Sequence, residues 1–227
     1  MALFDIPGDS RRAFDVLKGG GIAIVPNSIG YSILGGSGAS LKRIFEAKQR
    51  GASKRNAMVG NHDMHMALHV CSTRGREIVD AITRDYDLPM GCIAPVRLGH
   101  PILRKLDSEA IDASTKDATL VMLLNAGPFH AELTRLSYAE QHPLFGSSAN
   151  LTMTGTKFQV EDIEAPIKAI SDVVIDHGLQ RFHPYGASST LINVETLEIL
   201  RHGSCFEDIA YILKRHFGIA APPRPRG

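Results

Sequence analysis

Ser147-Ser148-Ala149-Asn150 gathers two hydroxyls and an amide side chain into four residues directly after an apolar run. A turn of this composition presents hydroxyls, an amide and bare backbone N–H groups to an anion or a nucleotide. Such turns are common, so its meaning depends on two other segments, Lys48-Gln49-Arg50 and Ser188-Ser189-Thr190. Residues 42–55 hold Lys42, Arg43, Lys48, Arg50, Lys54 and Arg55 against the single acid Glu46. Lys48 and Arg50 fall where a helix should give way to a glycine-containing loop. At such a boundary two cations can converge on one polyphosphate, whereas in mid-helix they diverge. The same residues also fit a solvated helix end whose cations complement the dipole.

A second group is Asn61-His62-Asp63-Met64-His65-Met66-Ala67-Leu68-His69, in which His62, His65 and His69 share one face if the segment is helical. That face suits a transition metal. No Cys or Glu stands at ligand spacing, however, and the pattern reads as a polar face or cavity lining, with no metal expected. Asp176-His177 reads as a turn, because neighbours on a strand point to opposite faces. Gly35-Gly36-Ser37-Gly38 matches no phosphate-binding or dinucleotide fingerprint and reads as a flexible loop.

The elements that must position these residues alternate between helical and extended patterns. Residues 9–18 predict a capped helix closed by Gly19-Gly20-Gly21, and 22–26 a buried strand ended by Pro26. Apolar residues at 41, 44, 45 and 47 predict a helix over 40–48. Further strands are expected at 57–59, 120–124, before the Ser/Ala/Asn turn, and at 172–176, 189–194 and 197–200. Helices are expected at 78–85, 129–137 and 206–217. With no internal repeat and no linker, the pattern predicts one α/β domain on a mixed sheet over residues 1–220. Residues 221–227 form a frayed Pro/Arg tail.

Composition narrows the function classes. The chain has 227 residues, 44% hydrophobic and 22% charged, enough to bury a sizeable core. A net charge of +1 gives no global argument for nucleic-acid or membrane binding, so a binding site must come from local clustering. No apolar run is long enough to span a bilayer, and the N-terminus is not a signal peptide. Cys71, Cys92 and Cys205 are odd in number and far apart. They point to reduced thiols in a cytoplasmic protein and away from a disulfide framework or a zinc site.

The order of these segments resembles the Sua5/YrdC/YciO family. The resemblance is carried by Gly21-Ile22-Ala23-Ile24-Val25-Pro26 with Tyr31, and by Ile44-Phe45-Glu46-Ala47-Lys48-Gln49-Arg50 with Lys54. It continues through Pro143 to Asn150, Ile175-Asp176-His177-Gly178, Ser189-Thr190-Leu191-Ile192-Asn193 and Ile199-Leu200-Arg201-His202-Gly203. It implies a mixed sheet with flanking helices around a concave cavity. The implied activity is that of a threonylcarbamoyl-adenylate synthase serving tRNA modification, with ATP, bicarbonate and L-threonine as substrates and Mg²⁺ carried on phosphate oxygens. Lys48 and Arg50 then take the catalytic, charge-neutralising part. Lys54, Ser148, Asn150, Ser189 and Arg201 join them around the nucleotide, while Asn27, Tyr31 and Ser147 face the acceptor amino acid. Tailored positioning, not a Ser-His-Asp nucleophile, supplies the rate. The resemblance also admits tRNA or double-stranded RNA and tRNA-modification proteins as partners.

Departures from the family pattern fall on the acceptor half. Asn27 replaces Thr, Ser32 replaces Gly, Met122 stands where Arg is expected, and no Pro-Gly-Pro-x-Thr stretch is recognisable near Pro89–Pro95. A pocket built to hydrogen-bond one substrate discriminates strongly against others. These changes leave open a relative that uses another amine or handles a carbamoyl adenylate, or a non-catalytic double-stranded RNA-binding module.

Overall fold

The computed structural model describes residues 3–49 and 55–224; Arg50, Lys54 and the last three residues of the Pro/Arg tail lie outside the described residues. The first helix, α1 (Ile6–Lys18), opens three residues earlier than the sequence pattern suggests. Asp5 caps it by accepting the Gly8 amide at 3.1 Å, and Pro7 occupies the first turn, where its missing N–H costs nothing. A tight hairpin follows, in which β1 (Ile22–Asn27) pairs with β2 (Gly30–Gly35) through Gly30 at φ +111, a conformation open to glycine.

Residues 35–38 are not the expected flexible loop. Gly35 ends β2, and Ser37 caps α2 (Gly38–Ala47) in a reciprocal hydroxyl–backbone box with Ser40. The chain continues through β3 (Ala57–Val59), α3 (His62–Leu68) and α4 (Thr73–Asp80), which runs into a π-helical turn at Ala81–Asp85. Then come β4 (Met90–Pro95), α5 (Ser108–Asp112), β5 (Thr115–Lys116), β6 (Thr119–Leu124), α6 (Pro128–Ala139) and β7 (Phe145–Ser148). The last elements are α7 (Ala165–Ala169), β8 (Val173–Val174), β9 (Leu191–Asn193), β10 (Ile199–Arg201) and α8 (Phe206–Phe217).

The strands form one mixed sheet in the order β10-β9-β4-β6-β3-β7-β2-β1-β8, with β5 added to β6. The pairs β3–β6, β4–β9 and β1–β8 are parallel and the others antiparallel. This is the single α/β domain that the periodicity predicts. β8 and β9 are shorter than expected, and β10 begins later. At the start of β8 the Asp172 carboxylate accepts the Ile22 amide at 2.8 Å. Leu197, at φ +64, forms the turn before β10 and delays that strand to Ile199.

The two faces of the sheet are covered unequally. One is buried under α2, α3, α4 and α8 in a large core that includes Ile33, Met58, Cys92, Met122, Phe145 and Ile192. The other meets α1 and α6 only at one end, where Phe14, Leu17, Phe129 and Leu133 pack on Val25, Leu34, Val59 and Leu123. The remainder of that face is open. Of the C-terminal tail, Arg224 is anchored, donating to both carboxylate oxygens of Glu207 and to the His202 and Gly203 carbonyls. Among the described residues, no helix is long and apolar enough to cross a membrane.

Candidate functional site

Successive strand residues face opposite ways, so the uncovered face receives every second side chain of the central strands. Gly30, Ser32 and Leu34 of β2, Gly91 and Ile93 of β4, Thr119, Val121 and Leu123 of β6, and Gly146 and Ser148 of β7 floor a concave cavity of about 620 Å³. That volume lies within the usual range for small-molecule sites, about 300–1,000 Å³. Its rim carries Lys48, Arg55, Lys116 and Arg201, and no carboxylate is part of the described lining. The electrostatic character is that of an anion receptor.

Seven of the residues singled out from the sequence meet at this cavity: Tyr31, Lys48, Ser147, Ser148, Asn150, Ser189 and Arg201. Lys48 sits at the C-terminal end of α2 and is only 3% exposed. Its ammonium donates to the Ser148 and Asn150 carbonyls, and its own carbonyl accepts the Thr152 hydroxyl at 2.6 Å. The basic motif and the Ser/Ala/Asn turn therefore clasp each other. Inside the turn the Ser148 hydroxyl donates to Asn150 Oδ1, while the buried Ser147 hydroxyl has no hydrogen-bond partner among the described residues. Across the cavity, the Arg201 guanidinium donates to the Ser189 carbonyl at 2.9 Å and to its hydroxyl at 3.1 Å, which fixes the cation on that wall.

Two acceptor-side residues are placed differently. Tyr31 is 1% exposed, and its phenol donates toward Asp176 Oδ1 (3.0 Å) and the Gly178 carbonyl (2.9 Å) while accepting the His177 amide. Burial pushes this hydroxyl well above its ordinary value. The ring packs in the helix-covered core, and its polar end anchors the 176–178 turn. Asn27 does not reach the cavity. Its Nδ2 donates to Ser32 Oγ at 2.7 Å, and Ser32 is the residue that faces the space. Met122, where the resemblance leads one to expect Arg, turns into the helix-covered core. The β6 wall therefore presents Thr119, Val121 and Leu123.

Sequence reasoning missed Arg55 and Lys116 as cavity cations. Arg55 already belonged to the basic run, whereas Lys116 comes from a two-residue strand with no detectable periodicity. His62, His65 and His69 are not cavity lining. His65 and His69 are buried on the opposite, helix-covered side of the sheet, and burial lowers them to about 4 and about 3.

One carboxylate holds the loop that borders the Asn150 side of the cavity. Glu164 accepts the Thr154 hydroxyl at 2.6 Å and the Leu151 amide at 3.2 Å, and pairs with Lys157 at 3.0 Å. Partial burial alone would raise its carboxyl, but the Thr154 hydroxyl and the Lys157 ammonium outweigh this and hold it at about 2. With a folded-state value below the ordinary 4.5, its contribution to stability is complete above that value and is lost as the pH falls toward 2. Glu164→Gln will flatten the dependence of the unfolding midpoint on pH across this window. Identical acid-unfolding curves for variant and wild type would remove Glu164 from that role.

The model of the Sua5/YciO/YrdC family, described as telomere recombination, matches residues 15–203. No curated protein sequence matches the chain significantly. Among solved structures, a hypothetical protein from Streptococcus mutans UA159 is similar with a TM-score of 0.73 at 19% identity, covering 92% of each chain. Sua5 from P. abyssi, complexed with L-threonine, is similar with a TM-score of 0.67 at 21% identity, over 87% of this chain and 54% of that one. Full-length HypF in a phosphate- and nucleotide-bound form has a TM-score of 0.61 at 15% identity, over 90% of this chain and 25% of that one. The chain thus spans about half the length of Sua5 and a quarter of HypF. At these identities the likeness establishes the fold.

Proposed function

Because the chain belongs to the Sua5/YciO/YrdC family, we propose that its cavity makes threonylcarbamoyl adenylate from L-threonine, bicarbonate and ATP, releasing pyrophosphate. The observation that carries this reading is a concave site ringed by Lys48, Arg55, Lys116 and Arg201 with no carboxylate in its described lining. Such a ring suits a triphosphate and the negative charge that develops on it. Condensation of the threonine amine with bicarbonate gives an N-carboxylate and water. One oxygen of that carboxylate then attacks the α-phosphorus in line, a new P–O bond forms, and pyrophosphate leaves. Holding the two anions together against their repulsion is the main task, and it is done by positioning and fixed positive charge.

In this reading Arg201, held by Ser189, and the rim cations bind phosphate oxygens. Ser148 and Asn150 face the α-phosphate and ribose, and Ser32 with Ile29, Leu34 and Val59 receives the acceptor's side chain. Arg50 and Lys54 belong to the same proposal on sequence grounds. Without a lining carboxylate, Mg²⁺ would be held by phosphate oxygens and water. The Sua5 complex with L-threonine and the HypF form with nucleotide support this choice of ligands. Transfer of the product to tRNA, with the protein partners that implies, and a cytoplasmic setting complete the proposal.

A second acceptor is favoured by one observation: the β6 wall presents Thr119, Val121 and Leu123, while Met122 turns away. Pyrophosphate release from ATP and bicarbonate, with each amino acid supplied singly, tests both readings. Threonine-dependent release is the expected result. Release dependent on a different amine would replace the acceptor and keep the reaction class, whereas no release with any amine would overturn the synthase.

A further inference from the structure

On the side of the sheet away from the cavity, the fold brings Cys92 to three metal-binding side chains, His65, His69 and Cys71, that lie within one short segment of the sequence. His65 and His69 stand one turn apart at the end of α3, and are 1% and 2% exposed. Their Nδ1 atoms face each other at 2.9 Å. The donor atoms of His65, His69 and Cys71 all lie within 4.8 Å of one another. Cys92 comes from the centre of the sheet. Its neighbours Gly91 and Ile93 face the cavity, so its thiol points to the helical side, with Sγ 3.8 Å from His69 Nδ1.

We propose that His65, His69 and Cys71, with Cys92 as the fourth donor, form a buried tetrahedral site for a thiophilic divalent transition metal, with zinc as the class to which this donor set belongs. Metal–nitrogen bonds of about 2.0–2.1 Å and metal–sulfur bonds of about 2.3 Å require N···N edges near 3.3 Å and N···S edges near 3.6 Å in a tetrahedron. The His65–His69 separation of 2.9 Å and the His69–Cys92 separation of 3.8 Å lie near these edges, while Cys92, outside the trio whose donors all lie within 4.8 Å of one another, must swing its thiol toward that trio to complete the tetrahedron. Charge supports the same assignment. Two thiolates cancel the dication, and two neutral imidazoles complete a neutral assembly, the form in which a buried metal costs least. Both thiol protons leave when the metal binds.

His69 turns one ring edge toward the other candidate donors. Its side-chain hydrogen-bond contacts run through the Nδ1 edge that faces His65 and Cys92. The sequence hides the arrangement because Cys92 lies 23 positions beyond His69 and joins it only through the pairing of β4 in the sheet.

The site is tested on the full-length protein, stripped with a chelator and titrated with Co²⁺ alone. One equivalent should bind, with ligand-field bands of tetrahedral intensity and thiolate-to-metal charge transfer, and Zn²⁺ should displace it and raise the unfolding temperature. Cys71→Ser should weaken Co²⁺ binding about 100-fold or more and reduce the charge-transfer band, since loss of an outer-shell partner alone costs roughly 10- to 100-fold. His69→Gln should abolish the tetrahedral spectrum. If the variants fail to fold, the wild-type spectrum decides. A wild-type protein that binds no Co²⁺, binds it without charge transfer, or unfolds at the same temperature with and without Zn²⁺ overturns the proposal.

Discussion

Lys48→Met will lower stability by about 3 kcal/mol and reduce ATP-dependent pyrophosphate release to background. The ammonium is 3% exposed and bonds two backbone carbonyls of the Ser148–Asn150 turn. A hydrogen bond to a charged group contributes about 1.5–3 kcal/mol. Methionine keeps the apolar stem buried and removes the charge, so the cost comes from the two carbonyls left without their donor. The loss of function is expected to exceed what global unfolding explains. With its clasp gone, the turn no longer holds Ser148 and Asn150 against the cavity, and misplacing catalytic groups by about 1 Å can cost about 100-fold. Urea unfolding together with calorimetric titration of ATP separates the two effects. A folded Lys48→Met protein with wild-type affinity for ATP would show that Lys48 neither binds the nucleotide nor shapes the turn.

This clasp also marks how far the sequence could be read. The Ser/Ala/Asn turn and the basic motif were each visible as local patterns, and the family order of segments brought them into one site. Their mutual contact was not visible, because a cation at a helix end looks the same whether it faces a phosphate or a backbone carbonyl. Asn27 and Tyr31 illustrate the same limit. Their residue types suit ligand binding, but one orients Ser32 and the other secures the 176–178 turn. Helices with a clean apolar stripe, such as α8, were legible to within a residue. The strands β2 and β4 were not. One is rich in glycine and serine, and the other ends in proline and is apolar on both faces, so neither shows the polar alternation of a half-exposed strand. Missing β4 left out the element that carries Cys92 to His69, and the histidines were read as a polar face or cavity lining.

Gly146→Ala will destabilise the fold by about 3 kcal/mol, at the upper end of what overpacking costs. Gly146 is paired on both sides, with Leu34 of β2 and Ala57 of β3, at the centre of the sheet. A Cβ there would lie 2.0 Å from the Ile33 carbonyl oxygen and 2.7 Å from Leu34 Cδ2. The first of these is backbone, held in the ladder, and cannot rotate aside as a side chain would. Relief requires β7 to move away from β2, which breaks the pairing of Ser147 with Ile33 and of Ser148 with Ser32. Those pairs set the height of the turn above the cavity, so the variant should lose ATP binding even at temperatures where it remains folded. Gly91 provides the contrast. A Cβ at that position meets Leu191 Cδ2 at 2.1 Å, the far end of a flexible side chain that can turn away. Gly91→Ala should therefore cost less than Gly146→Ala in the same urea titration. Equal midpoints for the two variants would mean that the β2–β7 ladder yields as easily as a leucine rotamer, and the rigid floor on which the site rests would have to be abandoned.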